Sequence, residues 1–218
     1  MHAIILVAGK GTRMRELTLD KPKPMLSYKG KNLIEHKLDA LPDAVTDIIL
    51  IVGYLGDIIR AHFGSSYKGR PITYVEQKEL LGSAHSLWQA RQHIHGPFMV
   101  LMGDDLYAKE DLAELARHSH ALIASETGID RSGGKMFLNE NGTVRDIIED
   151  KDGSIKSPLS YTGACVLSPE IFEYKMVQIP GRSEFGLPQT LLQMRDRFPF
   201  KLVRATFWKQ ITSPEDLT

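Results

Sequence analysis

Ala3-Ile4-Ile5-Leu6-Val7-Ala8 is an unbroken apolar run that stops at Gly9, the pattern of a strand covered on both faces, as in a parallel sheet. Leu33, Ile34, Leu38 and Leu41 fall at helical spacing behind Asn32, a good capping residue, and residues 47–52 give a second buried strand ending at Gly53. Strand, helix and strand in that order predict a βαβ unit. The alternation goes on with a short helix over 57–63 before Gly64, a strand over 72–75 and an amphipathic helix opened near Ser83. In that helix Ala84, Leu87, Trp88, Arg91 and Ile94 repeat at three- and four-residue steps. A strand over 98–102 and a helix marked by Leu112, Leu115 and Ala116 follow.

Beyond residues 121–124 the texture changes. Two strands, 135–138 and 144–148, flank Asn141-Gly142, a strong hairpin signal. A strand over 161–167, a helix start at Ser168-Pro169-Glu170, a helix over 187–195 and a strand over 200–206 come next. Ser213-Pro214-Glu215-Asp216 then reads as a helix N-terminus. The pattern predicts an α/β chain folded as one mixed, mostly parallel sheet in three α/β/α layers. With 218 residues, 42% of them apolar, and no linker rich in Pro, Gly or Ser, a single domain over 1–218 covers the chain.

Charge and cysteine usage narrow the chemistry. Lys+Arg (27) equals Asp+Glu (27), so there is no basic field for nucleic acid, and an anionic ligand must be held by local geometry. Cys165 is the single cysteine, which excludes an internal disulfide and fits a reducing, cytoplasmic setting. No apolar stretch approaches the ~18 residues that mark a membrane span. The His93/His95 and His118/His120 pairs lack a third ligand nearby and read as helix-end or surface residues.

The sharpest local feature is Ala8-Gly9-Lys10-Gly11-Thr12-Arg13-Met14, in which a strand runs into a glycine loop carrying two cations and a hydroxyl. Gly9 and Gly11 let backbone N–H groups turn toward an anion, and Arg13 offers a forked donor to phosphate oxygens. Neither G-x-x-x-x-G-K-[ST] nor G-x-G-x-x-G fits, since Met14 stands where the last glycine of the second would be. Lys23, held between Pro22 and Pro24, sits on a stiffened segment and can be aimed. Met102-Gly103-Asp104-Asp105 puts carboxylates at the carboxyl end of a strand, a natural place for Mg²⁺ bridging to phosphate. Asp105 has the alternative of capping the next segment.

Together the glycine loop and Lys23 resemble the sugar-1-phosphate nucleotidylyltransferases, or nucleotide-sugar pyrophosphorylases, whose opening pattern is G-x-G-T-R-[LM] followed by P-K. The resemblance implies a Rossmann-like nucleotidyltransferase fold with a nucleotide-binding half over about 1–125 and a sugar-binding half over about 126–218. It implies that Arg13 holds the leaving phosphates, that Lys23 bridges the reacting phosphates, and that Ala8, Gly9, Gly11 and Thr12 line the nucleotide site. Gln77-Lys78-Glu79-Leu80-Leu81-Gly82-Ser83-Ala84 is similar to the family's base-recognition stretch. Gln77, Gly82 and Ser83 would then meet a pyrimidine, leaving UTP and dTTP both open. Glu149 and Lys151 match the I-x-E-x-K element that binds sugar and sugar phosphate, and Gly134 and Thr162 fall in two further sugar elements. Tyr161 stands where acetamido-sugar enzymes have asparagine.

Asp104 would be the metal ligand, and Gln210 replaces the aspartate that forms the family's second one. An amide oxygen coordinates Mg²⁺ without bringing charge. The expected activity is Mg²⁺-dependent transfer of a nucleotidyl group from an NTP to a hexose 1-phosphate, with pyrophosphate released, by a chain that can also form a homo-oligomer. Two rivals stand beside it. One is a nucleotide-sugar sensor that lost metal chemistry at Gln210, and the other is a guanylyl- or cytidylyltransferase for mannose 1-phosphate or a small phosphorylated alcohol.

Overall fold

The computed structural model describes residues 1–126, 133–150 and 152–218. The first half runs β1 (His2–Leu6), β2 (Ser27–Tyr28), β3 (Lys31–Asn32), α1 (Leu33–Ala40), β4 (Asp47–Val52), α2 (Gly56–Phe63), β5 (Ser66–Tyr67), β6 (Arg70–Glu76), α3 (Ser83–Gln89), β7 (Phe98–Met102), β8 (Asp105–Tyr107) and α4 (Lys109–Leu115). The second half runs β9 (Ala121–Glu126), β10 (Gly133–Leu138), β11 (Val144–Asp150), β12 (Leu159–Leu167), α5 (Leu187–Leu191), β13 (Lys201–Arg204) and β14 (Trp208–Gln210).

Ten strands of the described residues form one mixed sheet. β1 lies at its centre, parallel to β4 on one side and to β7 on the other, which is why Ile4 and Ile5 are both fully buried. β6 extends the parallel set beyond β4. On the other flank β12 runs antiparallel to β7, β9 and β10, β11 pairs with β10, and β13 adds to β9 in parallel. Leu159 and Ser160 of β12 pair with β10, whereas Cys165, Val166 and Leu167 pair with β7. β7 and β10 therefore share one edge of β12 and part company around Thr162 and Gly163, leaving a gap where the two halves of the sheet meet.

Successive strand residues face opposite layers. Ala3, Ile5, Leu50 and Leu101 pack with Ile34 and Leu38 of α1, Ile59 of α2 and Leu112 of α4. Ile4, Ile49, Val100 and Leu122 pack on the other side with Leu87 of α3 and Leu187 and Leu191 of α5. α1 begins at a reciprocal cap, with Asn32 Oδ1 accepting from Glu35 N and Glu35 Oε2 accepting from Asn32 N, both at 2.8 Å. A small third cluster, Met14, Leu26, Tyr28, Leu33, Leu106 and Ile211, anchors the glycine loop to β8 and to the end of the chain.

Some helices are shorter than their periodicity predicts. The helix from Ser83 stops at Gln89, and a 3-10 turn (Arg91–His93) carries the chain on to the buried Ile94. The helix over 187–195 splits into α5 and a 3-10 turn (Leu192–Met194). Thr190 Oγ1 donates to Gly186 O at 2.7 Å and accepts from Val177 N at 3.0 Å, and such back-bonding bends short helices. The ribbon of β8 and β14 is too short for periodicity to reveal. Among the described residues no helix is long and apolar enough to cross a membrane.

Candidate active site

The loop after β1 leaves from the carboxyl edge of the parallel strands, where open α/β sheets hold ligands. Gly11 takes φ 65° at the start of the 3-10 turn Thr12–Thr18, and a Cβ there would lie 2.6 Å from Lys23 Cβ. The bare glycine thus lets Lys23 pack across the loop. Lys23 is only 6% exposed, and its Nζ donates to Asp104 Oδ2 at 2.7 Å. Gly9, Gly11, Thr12, Arg13, Lys23 and Asp104 line one cavity of about 330 Å³.

A second cavity, of about 190 Å³, is lined by Ala8, Gly9, Gln77, Gly82 and Ser83. Gln77 is buried, and its carboxamide is oriented by a 3.4 Å bond from Nε2 to Gly82 O and a 3.1 Å approach to His85 Nδ1. A third, of about 390 Å³, opens at the gap between β7 and β10, with Asp105, Gly134, Glu149, Tyr161, Thr162 and Gln210 on its wall. Four buried side-chain atoms of residues lining it, Asp105 Oδ1, Tyr161 Oη, Gln189 Oε1 and Trp208 Nε1, have no hydrogen-bond partner in the described structure. The Trp208 indole lies close enough to favour ionised Asp105 without completing a hydrogen bond. Unpaired buried polar groups cost about 1–3 kcal/mol each, and these four are sealed from solvent; the polar side chains open to the cavity include Glu149 and Gln210.

Asp104 and Asp105 are consecutive and belong to different cavities, Asp104 to the loop cavity and Asp105 to the polar one. Burial, and then the neighbouring Asp104 charge, push the Asp105 carboxyl well above the usual carboxylate range, with Lys37 and Lys23 opposing. Lys37, on α1, is 1% exposed and donates from Nζ to Leu33 O at 3.0 Å. Burial brings it down to about 8 against the pull of Asp104 and Asp105. Cys165 is buried in β12, and burial pushes its thiol up to about 12.

The sequence-predicted residues fall into these three hollows with some changes of detail. The Thr162 hydroxyl donates to Ile123 O at 3.0 Å and its carbonyl accepts from Tyr107 Oη at 2.9 Å, so both are engaged within the protein. Ser83 Oγ accepts from Leu187 N at 2.9 Å, tying it to the second half of the chain. Gln210 is exposed on the wall of the polar cavity, apart from Asp104, although its strand pairs it with Asp105 and Ile211 N donates to Asp104 O at 3.0 Å. Lys151 lies outside the described residues. Asp105 opens β8 and is buried, so it caps no helix. Gln189 and Glu184 join the cavities unannounced by any motif, since only folding brings the second half of the chain against the first; Trp208 belongs to the same terminal element as Gln210.

The sequence profile described as Nucleotidyl transferase matches residues 2–181. The UTP–glucose-1-phosphate uridylyltransferase AglF of Haloferax volcanii is 34% identical over 227 residues, covering 99% of this chain and 93% of that protein. The bifunctional protein GlmU of Methanocaldococcus jannaschii is 29% identical, covering 100% of this chain and 52% of its own length, so the chain spans about half of that relative. Among solved structures, a UDP-glucose pyrophosphorylase from Acinetobacter baumanii superposes with TM-score 0.84 at 18% identity, over 99% of this chain and 90% of that one. That likeness bears on the fold alone.

Proposed function

The chain belongs to the nucleotidyl transferase family, and on that premise we propose that it transfers a uridylyl group from UTP to glucose 1-phosphate, forming UDP-glucose and pyrophosphate. One observation carries the reading: Lys23, buried against Gly11 and paired with Asp104, shares an anion-sized hollow with Arg13. The choice of UTP and glucose 1-phosphate is supported by the Haloferax relative and by Gln77 on the wall of the adjoining cavity.

An oxygen of the sugar phosphate attacks the α-phosphorus of the nucleotide. The new P–O bond forms as the bond to the β-phosphate oxygen breaks, and the electron pair leaves with pyrophosphate. The attacking oxygen is already anionic, so no general base is required. Lys23 swings from Asp104 to the α-phosphate, Arg13 holds the departing phosphates, and the backbone N–H groups around Gly9 and Gly11 orient them. Glu149, paired with Gly134 on the wall of the polar cavity, takes sugar hydroxyls.

The donor set fits Mg²⁺. Asp104 keeps 33% of its side chain exposed on the wall of the cavity that Arg13 and Gly11 share. That is the donor set of a hard cation taking a single protein carboxylate together with phosphates and water. When bound, such an ion neutralises charge on the reacting phosphates. Gln210 adds at most a neutral amide oxygen.

Pyrophosphate release, measured with four nucleoside triphosphates against a panel of sugar 1-phosphates in Mg²⁺, tests the reading. UTP with glucose 1-phosphate is expected to give the highest kcat/KM, and Lys23→Ala to lose on the order of 10²-fold in kcat. Binding of UDP-glucose without pyrophosphate from any pairing overturns the enzyme reading in favour of a sensor.

A further inference from the structure

The loop cavity and the Gln77 cavity share three wall residues, Leu6, Gly9 and Glu184, and only Glu184 has a polar side chain. In a nucleotide the ribose joins base to phosphates. A nucleotide with its base beside Gln77 and its phosphates beside Gly11 and Arg13 therefore carries its ribose across that shared wall.

Glu184 reaches this place on the segment 177–187 of the second half, which is strapped to the first. Phe185 N donates to Leu81 O at 2.7 Å, and Ala84 N donates to Phe185 O at 3.0 Å. A Cβ on Gly82 would meet Phe185 O at 2.4 Å, so the strap seats only on a glycine. The charged neighbour of the carboxylate is Arg182, with Nη1 3.8 Å from Oε2, beyond hydrogen-bonding distance, and the Glu184 side chain is 47% exposed. A carboxylate beside a triphosphate works against binding by like-charge repulsion unless the ligand also brings it donors. Two adjacent ribose hydroxyls are such donors, and a carboxylate's two oxygens can accept both.

We propose that Glu184 accepts hydrogen bonds from the ribose hydroxyls and so selects ribonucleotides over 2′-deoxyribonucleotides. The inference rests on the nucleotidyl-transfer reading of these cavities, and it resolves the choice between UTP and dTTP through the sugar ring rather than the base.

The test pairs each of the four ribonucleoside triphosphates with its 2′-deoxy counterpart, using the full chain and its Glu184→Ala and Glu184→Gln variants, with thermal melts to establish that each variant folds. The unsubstituted chain should prefer the ribo form of its best nucleotide by about 10-fold in kcat/KM, the scale of a lost hydrogen bond to a charged group at a half-exposed site. Glu184→Ala should bring that ratio to within about threefold, the ribonucleotide losing relative to its deoxy counterpart, which is relieved of like-charge repulsion, and Glu184→Gln, which keeps an acceptor, should fall between. An unchanged ratio, an equal loss for both forms, or a raised Mg²⁺ requirement at constant ratio overturns the inference. Calorimetric Kd values for the same nucleotide pairs read the ratio without turnover. A chain that binds nucleotides and releases no pyrophosphate thus removes the transfer reading while still deciding the role of Glu184.

Discussion

Lys37 is the residue whose cost to the fold is plainest. A buried ammonium whose hydrogen bond goes to its own helix, at Leu33 O, is expensive, and apolar replacement of such groups is often neutral or stabilising. It titrates at about 8 in the fold against an ordinary value of 10.5. Between these values the unfolded chain binds one more proton than the folded one. The contribution of Lys37 to stability therefore improves as pH rises through that window and is least favourable below pH 8. Lys37→Met is expected to raise the unfolding free energy by about 2 kcal/mol at pH 7 in urea titrations, with the advantage shrinking toward pH 10. Turnover should fall in the same variant, because Asp104 and Asp105 lose the positive charge behind them. A constant advantage across pH would show that burial of the charge is not the cause.

Short elements, rather than the long strands, hold the site together. The strap 177–187 locks onto the Leu81–Ala84 turn through backbone bonds that require Gly82, whose φ is 99°. Gly82→Ala meets both a backbone conformation hostile to a side chain and the Phe185 carbonyl at 2.4 Å. It should cost about 2–3 kcal/mol of stability and raise the KM for nucleotide at least about 10-fold. Hydrogen exchange should show the Phe185 and Ala84 amides losing protection. Gly96→Ala is the control: nothing lies within 4 Å of its added Cβ, and its effect should stay within about 0.5 kcal/mol.

At the scale of the whole molecule, the proposed function seats the nucleotide at the carboxyl edge of the parallel strands and the sugar at the gap between β7 and β10, so occupancy should stabilise the chain as a unit. At about 100 times Kd a ligand adds about 2.7 kcal/mol, which for a chain of this length corresponds to roughly 5–10 °C in Tm. UTP with Mg²⁺ is expected to give a rise of that order in differential scanning fluorimetry, and the nucleotide-bound Lys23→Ala variant a smaller one. No rise with any nucleotide would remove the ligand site from the glycine loop.

The continuous apolar runs specified β4 and β7 to the residue and β1 to within two, because a strand buried on both faces leaves an unmistakable record in its composition; β6, half exposed, runs beyond its predicted 72–75, and the two-residue strands β2, β3 and β5 left no such record. The glycine loop, Lys23 and Asp104 were legible for a related reason: phosphate chemistry demands special backbone and fixed cations within a short stretch of chain. Gln189 and Glu184 were not, and neither was the separation of Asp105 from Asp104 into a different cavity. Their importance depends on which cavity each reaches, and that is set by the parting of β7 and β10 along one edge of β12, by a three-residue ribbon and by a strap seated on Gly82. Local sequence encodes the geometry that a residue imposes on its neighbours, whereas contacts between distant segments exist only once the sheet has closed its long-range pairings.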